Sequence, residues 1–112
     1  EELVRAFGPR LMLCGNDWMA LGALQELDRQ GRRVPQDISL VGHDDLPFCA
    51  DLEPTLTSIR RDEEVIVGRA VDLLQEEIDR GVNGPKEVKI EGVMVWRDST
   101  GPPAELTGTG TR

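Results

Sequence analysis

The stretch from Cys14 to Asp45, CGNDWMALGALQELDRQGRRVPQDISLVGHDD, narrows the possible folds more than any other part of the chain. It reads as strand end, Asn-Asp turn, helix, Gly-Arg-Arg turn, strand and acidic turn. Leu11-Met12-Leu13-Cys14 is an unbroken apolar run, expected of a parallel strand covered on both faces. Asp17 or Asn16 supplies an N-cap oxygen for a helix beginning near Trp18. Ala20, Ala23, Leu24 and Leu27 fall on one stripe at helical spacing. Gly31 is placed to stop that helix in the left-handed conformation. Pro35 cannot donate to a ladder and precedes the next strand, Ile38 to Gly42. Two strands joined through one helix make a right-handed parallel crossover unit. The expectation is therefore an α/β fold with a parallel sheet. Both polar turns, with Asn16 and Asp17 and then Asp44 and Asp45, fall at the sheet's carboxyl edge, where ligands bind.

Downstream, Pro47 opens a short helical turn and Pro54 leads into a strand over Leu56 to Arg60. Asp62 caps a second long helix with Glu63 and Glu64 in its first turn. Ile66, Val67, Ala70, Val71, Leu74 and Ile78 form its apolar face, and Gly81 to Pro85 end it. Lys86 to Trp96 alternates apolar and polar residues and reads as one or two strands, with Gly92 as a possible break. Glu2 to Phe7 reads as part of a helix whose start is missing, so the chain is expected to be a fragment. Residues 1–100 form one domain, and 101–112, GPPAELTGTGTR, have the composition of a disordered tail.

Composition excludes several functions. A chain of 112 residues has room for one domain and a real core. Lys+Arg number 13 against 21 Asp+Glu, a net charge of -8. That argues against direct nucleic-acid binding, which needs basic surface to displace counterions, and against an anionic membrane. No apolar run is long enough to span a bilayer, and no signal peptide is visible. Cys14 and Cys49 have no companion ligands, so neither a metal site nor a disulfide framework is expected. A reduced, cytoplasmic setting fits. No Gly-x-Ser-x-Gly, no Gly-Lys-Ser/Thr phosphate loop and no His/Cys metal spacing occurs, so no enzyme, catalytic residue or cofactor is expected.

The candidate site residues each have a plainer alternative. Asp44 can accept two hydrogen bonds from a hydroxyl pair, or simply cap its turn. Asn16 offers donor and acceptor, or forms the turn. His43 has no nucleophile or metal partner in sight, which argues against chemistry. Trp18 and Leu21 lie off the apolar stripe, and scattered exposed apolar residues are common.

Five segments, in order, resemble the end of a LacI/GalR-type bacterial transcription repressor. They are Asn-Asp-x-Met-Ala-x-Gly at Asn16 to Gly22, and Val-Pro-x-Asp-Ile-Ser-x-Val-Gly-x-Asp-Asp at Val34 to Asp45. Then come Pro-x-Leu-Thr-Ser-Ile-Arg at Pro54 to Arg60, Gly68 with Ala70, and Val-x-Arg-x-Ser-Thr at Val95 to Thr100. The resemblance implies the carboxyl-terminal portion of a two-lobed, type I periplasmic-binding-protein-like effector domain. It implies effector contacts at Asn16 and Asp44, pocket lining at His43, and a mainly structural Asp45. It places the dimer interface on the helix with Leu21 and on the segment with Leu52, with Trp18 serving either the interface or the pocket. It implies a small-molecule effector, a homodimer, and operator DNA gripped by an amino-terminal headpiece absent here. Glu63 departs from the pattern: many sugar-binding members place an aromatic ring there, and a carboxylate cannot stack on a sugar. The second long helix would belong to the other lobe, leaving its apolar face uncovered here. The alternative reading is a solute-binding protein of a sugar transport system, which shares the fold.

Overall fold

The computed structural model describes residues 10–82 and 84–104. In chain order the elements are β1 (Leu11–Leu13), α1 (Asp17–Arg29), β2 (Ser39–Val41), a 3-10 turn (Pro47–Ala50), β3 (Ser58–Arg60), α2 (Glu63–Arg80) and β4 (Val93–Val95). The expected helix over Glu2 to Phe7 lies outside the described residues.

The crossover unit forms as its residues require. β1 and β2 pair in parallel with Met12 opposite Leu40, and a bridge from Val41 to Thr57 continues the parallel direction into the strand that follows. β3 and β4 pair antiparallel as a second two-stranded sheet, Ile59 opposite Met94. Ala20, Leu24 and Leu27 are buried along the α1 stripe and meet Cys14, Leu40, Cys49 and Leu56 in the core. Gly31 takes φ 70° just beyond the last turn of α1, the conformation that lets the chain leave the helix.

One alternative is resolved and two expectations are corrected. The N-cap is Asn16, whose Oδ1 accepts from Met19 N at 2.8 Å. Asp17 is instead the first helical residue and is completely buried. The β1 run is covered on one side only: Leu11 and Leu13 are 59% and 67% exposed, because no layer packs on that face among the described residues. Of the alternating segment from Lys86 to Trp96 only Val93–Val95 is strand, since β3 is three residues long and offers a partner to no more.

The closing Arg-x-Ser-Thr segment crosses beneath the strands and stitches them. Ser99 is fully buried; its Oγ donates to Leu40 O at 2.6 Å and accepts from Thr57 N at 2.8 Å. Its backbone continues the stitch, with Leu40 N donating to Ser99 O and Ser99 N to Thr55 O, both at 2.9 Å. Gly101, assigned to a disordered tail, is held by Ser39: Gly101 N donates to Ser39 Oγ at 3.2 Å. Residues 105–112 lie outside the described part.

α2 begins and ends as expected, capped by Asp62 Oδ1 on Val65 N at 3.1 Å and closed by Gly81 at φ 79°. None of its residues is buried. Val67, Val71, Leu74 and Ile78 all stand exposed, and the described chain is long and thin, 67 × 33 × 20 Å.

Candidate functional site

Both polar turns sit at the carboxyl ends of the paired parallel strands. Cys14 N donates to Val41 O at 2.8 Å where the strands end, and Asp17 N donates to His43 O at 3.0 Å, joining the turns directly. Asn16 and Asp44 therefore leave adjacent strand ends on the same edge of the sheet.

The second turn is backbone-strained. Asp44 has φ 109° and Asp45 φ 53°, conformations that side-chain-bearing residues adopt only when their surroundings compel them. Every backbone N–H of the turn is held: Asp44 N donates to Ile59 O at 2.9 Å, Asp45 N to Ser58 Oγ at 3.0 Å and Leu46 N to Asp17 Oδ2 at 2.7 Å.

The two carboxylates of the turn have different fates. Asp45 is withdrawn, its side chain 6% exposed, between Arg60 Nε at 2.8 Å and Arg97 Nη1 at 2.7 Å. Burial pushes its acidity down, but the hydrogen bonds and charges of Arg97 and Arg60 outweigh that and hold its carboxyl below the usual range. Arg97 also donates to Leu56 O at 2.8 Å, which fixes it in place. Asp45 is thus held in place by two arginines, although it too borders the cleft on which Asp44 opens. Asp44 is partly exposed, paired with Arg61 and within 3.1 Å of His43 Nδ1.

Asp44 opens on a cleft of about 570 Å³ between the acidic turn, the end of β3 and the start of α2. Arg60, Arg61, Glu63, Glu64 and Glu91 line it, with Leu46, Pro47 and Val93 as apolar wall. Glu63 is thus in the cleft, and the ring many sugar-binding members place there is missing. Asn16, Trp18 and His43 are not among the residues lining this cleft. Asn16 spends its oxygen on the helix cap, and Trp18, 65% exposed, tilts against Phe48 with ring centroids 4.8 Å apart.

A larger concavity, about 680 Å³, lies elsewhere, between α1 and the loop before β3. Leu21 and Leu52 line it together, both half-buried, with Leu24, Val34 and Pro54 around them and Arg32, Arg33, Asp28 and Glu53 also contributing. Its size does not make it the ligand site, since it holds none of the turn carboxylates. It is the place where the two proposed interface residues meet.

Sequence reasoning overlooked Asp17, Ser58, Arg60 and Arg61. Asp17 looked like a cap because Asp beside Asn at a helix start fits either position. The paired arginines at the end of β3 carried a readable signal: an Asp-Asp turn needs nearby positive charge, and Arg60-Arg61 is the nearest such pair downstream of it. Cys49 is fully buried, and burial together with the neighbouring Asp17 carboxylate pushes its thiol up to about 12. Among the described residues no group of His, Cys, Asp and Glu could hold a metal ion, and no helix is long and apolar enough to cross a membrane.

A crossover helix under parallel strands, with the polar turns at their carboxyl edge, defines an α/β domain of the periplasmic-binding-protein kind. The profile of the periplasmic binding protein-like domain matches residues 1–100, and the chain belongs to that family. The HTH-type transcriptional repressor PurR of Escherichia coli O1:K1 is 32% identical over 99 residues, covering 88% of this chain and 29% of the repressor. PurR of Haemophilus influenzae strain PittEE is 36% identical over 94 residues, covering 81% and 28%. Among solved structures, a complex of the transcriptional regulator CelR with cellobiose superposes with a TM-score of 0.73 at 32% identity, over 87% of this chain and 30% of that one. The lac repressor dimer bound to operator and the anti-inducer ONPF gives 0.72 at 29% identity, over 88% and 38%. The chain spans under a third of the length of these curated relatives, which are transcriptional repressors and not enzymes.

Proposed function

We propose that this chain is the carboxyl-terminal part of the effector-sensing domain of a LacI-type transcription regulator, and that the cleft holding Asp44 is one wall of its effector site. The observation that carries the reading is the state of Asp44. A strained backbone, held by three hydrogen bonds, keeps its carboxylate partly exposed at the carboxyl edge of the parallel strands. Strain of that kind is maintained where a side chain must be presented.

Asp44 accepts hydrogen bonds from a hydroxyl or N–H pair of the effector, and His43 orients it. Asn16 contributes its amide N–H groups, since its oxygen is occupied by the cap. Trp18 offers an exposed ring face at the rim. Glu63 replaces ring stacking with a further acceptor, which favours an effector rich in donor groups. Leu21 and Leu52 form part of a homodimer surface. A headpiece supplied by the rest of the protein grips operator DNA in the cytoplasm, and the effector acts by its different affinity for two lobe arrangements.

The test is a thermal-shift and titration screen of the intact regulator against cellobiose, lactose, ribose, adenine and guanine, combined with an operator-binding assay. A bound effector at a hundred times its Kd adds about 2.7 kcal/mol of stability. Asp44→Ala is expected to abolish the shift and the effector's influence on operator affinity while leaving effector-free operator binding intact. An unchanged effector response in Asp44→Ala rejects the assignment. Ligand binding without operator binding would place the chain in a solute-binding protein instead.

A further inference from the structure

Asp17 is completely buried and makes more contacts to the acidic turn than any helix start requires. Its backbone N–H donates to His43 O at 3.0 Å, on the amino side of the Asp44-Asp45 pair. Its Oδ2 accepts from Leu46 N at 2.7 Å, on the carboxyl side of the same pair. Its Oδ1 accepts from Ser58 Oγ at 2.6 Å, and that same hydroxyl accepts from Asp45 N at 3.0 Å. One residue of α1 thus brackets the strained dipeptide from both sides and, through Ser58, from the middle. Gly42, just before the turn, is packed so closely that a Cβ there would stand 2.2 Å from Asp17 Oδ1.

From this arrangement we infer that Asp17 is a positioning residue for effector recognition: it locks the Asp44-Asp45 turn in its positive-φ form and ties that turn to α1. The inference rests on the effector reading of Asp44. The physical reason is that Asp44 and Asp45 relax toward ordinary backbone angles unless the flanking groups are held, and relaxation swings the Asp44 carboxylate away from its place beside Arg61 and His43. Both carboxylate oxygens of Asp17 must accept here. An asparagine can accept at one oxygen but turns an N–H₂ toward the remaining donor. The same link makes the orientation of α1, whose Leu21 lines the groove shared with Leu52, sensitive to the state of the turn.

The experiment compares wild type, Asp17→Asn, Ser58→Ala and Asp44→Ala in the intact regulator. The readouts are effector affinity over the panel above, operator binding, and amide hydrogen exchange at Asp45 and Leu46. Asp17→Asn is expected to weaken effector binding by about tenfold or more, the fold-change that corresponds to one buried donor left unpaired. Exchange at Asp45 and Leu46 should rise while the amides of Ala20 to Leu27 keep their protection. Ser58→Ala, which removes the donor to Asp17 and the acceptor of Asp45 N but keeps the Asp17–Leu46 bond, should give a loss in the same direction with exchange rising chiefly at Asp45, and it carries the test if Asp17→Asn does not fold. Combined with Asp44→Ala, neither substitution should cost further affinity. Effector affinity within twofold of wild type, with only overall stability lowered, overturns the inference and leaves Asp17 as core packing. If the wild type binds nothing in the panel, the effector reading fails by itself and exchange decides the positioning role: selective loss of protection at Asp45 and Leu46 upholds it, unchanged exchange overturns it.

Discussion

Replacing Gly42 by alanine is the most direct probe of how the acidic turn is held. The new Cβ would lie 2.2 Å from Asp17 Oδ1 and 3.1 Å from Leu56 Cδ2, whereas ordinary contact begins near 3.4 Å. The carboxylate would have to retreat by 3.4 − 2.2 = 1.2 Å along that line. It is not a free side-chain end: its oxygens hold Leu46 N at 2.7 Å and Ser58 Oγ at 2.6 Å. A displacement of that size breaks at least one of these bonds, and a hydrogen bond to a charged group is worth about 1.5–3 kcal/mol. Overpacking against Leu56 adds about 1–3 kcal/mol. Gly42→Ala is therefore expected to cost about 3–5 kcal/mol, a large share of a small domain's stability. Urea unfolding of the chain, followed by circular dichroism, should show the midpoint falling with little change in slope. Gly22→Ala is the control. A Cβ there meets nothing within 4 Å inside α1, so the change should stabilise by about 0.4–1 kcal/mol through the unfolded state. A loss below about 1 kcal/mol for Gly42→Ala would show that Asp17 moves freely, and would remove the basis for treating it as the anchor of the turn.

The groove shared by Leu21 and Leu52 predicts self-association of the intact regulator, and Leu21→Arg should dissociate it, because a charge buried there without a partner is strongly unfavourable; sedimentation giving the same mass before and after would dismiss that surface. Burial holds the thiols of Cys14 and Cys49 up, the latter to about 12, so at pH 8 neither should be alkylated by iodoacetamide until urea is added. The sign also fixes a stability limit: Cys49 contributes fully below its ordinary value of 9.0 and loses that contribution as pH rises from there toward 12, so alkaline unfolding should begin in this window and shift in Cys49→Ala. Hydrogen exchange on the chain alone should find Val65 to Ile78 of α2 less protected than Ala20 to Leu27 of α1, or protected only at high protein concentration; firm protection in a dilute monomer would mean the helix has a packing partner within the chain.

How far the sequence could be read follows from what each signal depends on. The ends of both helices depend on a few neighbouring residues, so Asn16 or Asp17, Gly31, Asp62 and Gly81 all marked boundaries that the structure keeps. The parallel crossover unit depends on periodicity and spacing, and it too was legible from Cys14 to Asp45. The choice between Asn16 and Asp17 as cap was not, because it turns on what lies beyond the helix. Asn16 takes the cap because Asp17 is claimed by Leu46 and Ser58, partners 29 and 41 residues away. The same is true of Ser99, whose neighbours in sequence give no hint that its hydroxyl joins Leu40 to Thr57.

Burial was the least legible quantity, for one reason that acts at two places. An apolar pattern states which side chains need cover and says nothing of what covers them. On α2 the pattern through Val67, Val71, Leu74 and Ile78 is that of a buried helix, and each of these stands in the open. On the sheet, Leu11, Leu13 and Trp96 stand equally exposed beside an apolar hollow of about 590 Å³. Fully burying one such side chain is worth roughly 1.5–3 kcal/mol, so neither face is at its free-energy minimum while it meets water. The acidic turn differs in kind. Its partners, Asp17, Ser58, Arg60, Arg61 and Arg97, all lie within the described chain, and each of its backbone N–H groups is paired. The part of the molecule that is complete in itself is the part that holds Asp44 in place, which is why substitutions at Gly42 and Asp17 can be read on this chain while the apolar faces await whatever packs on them.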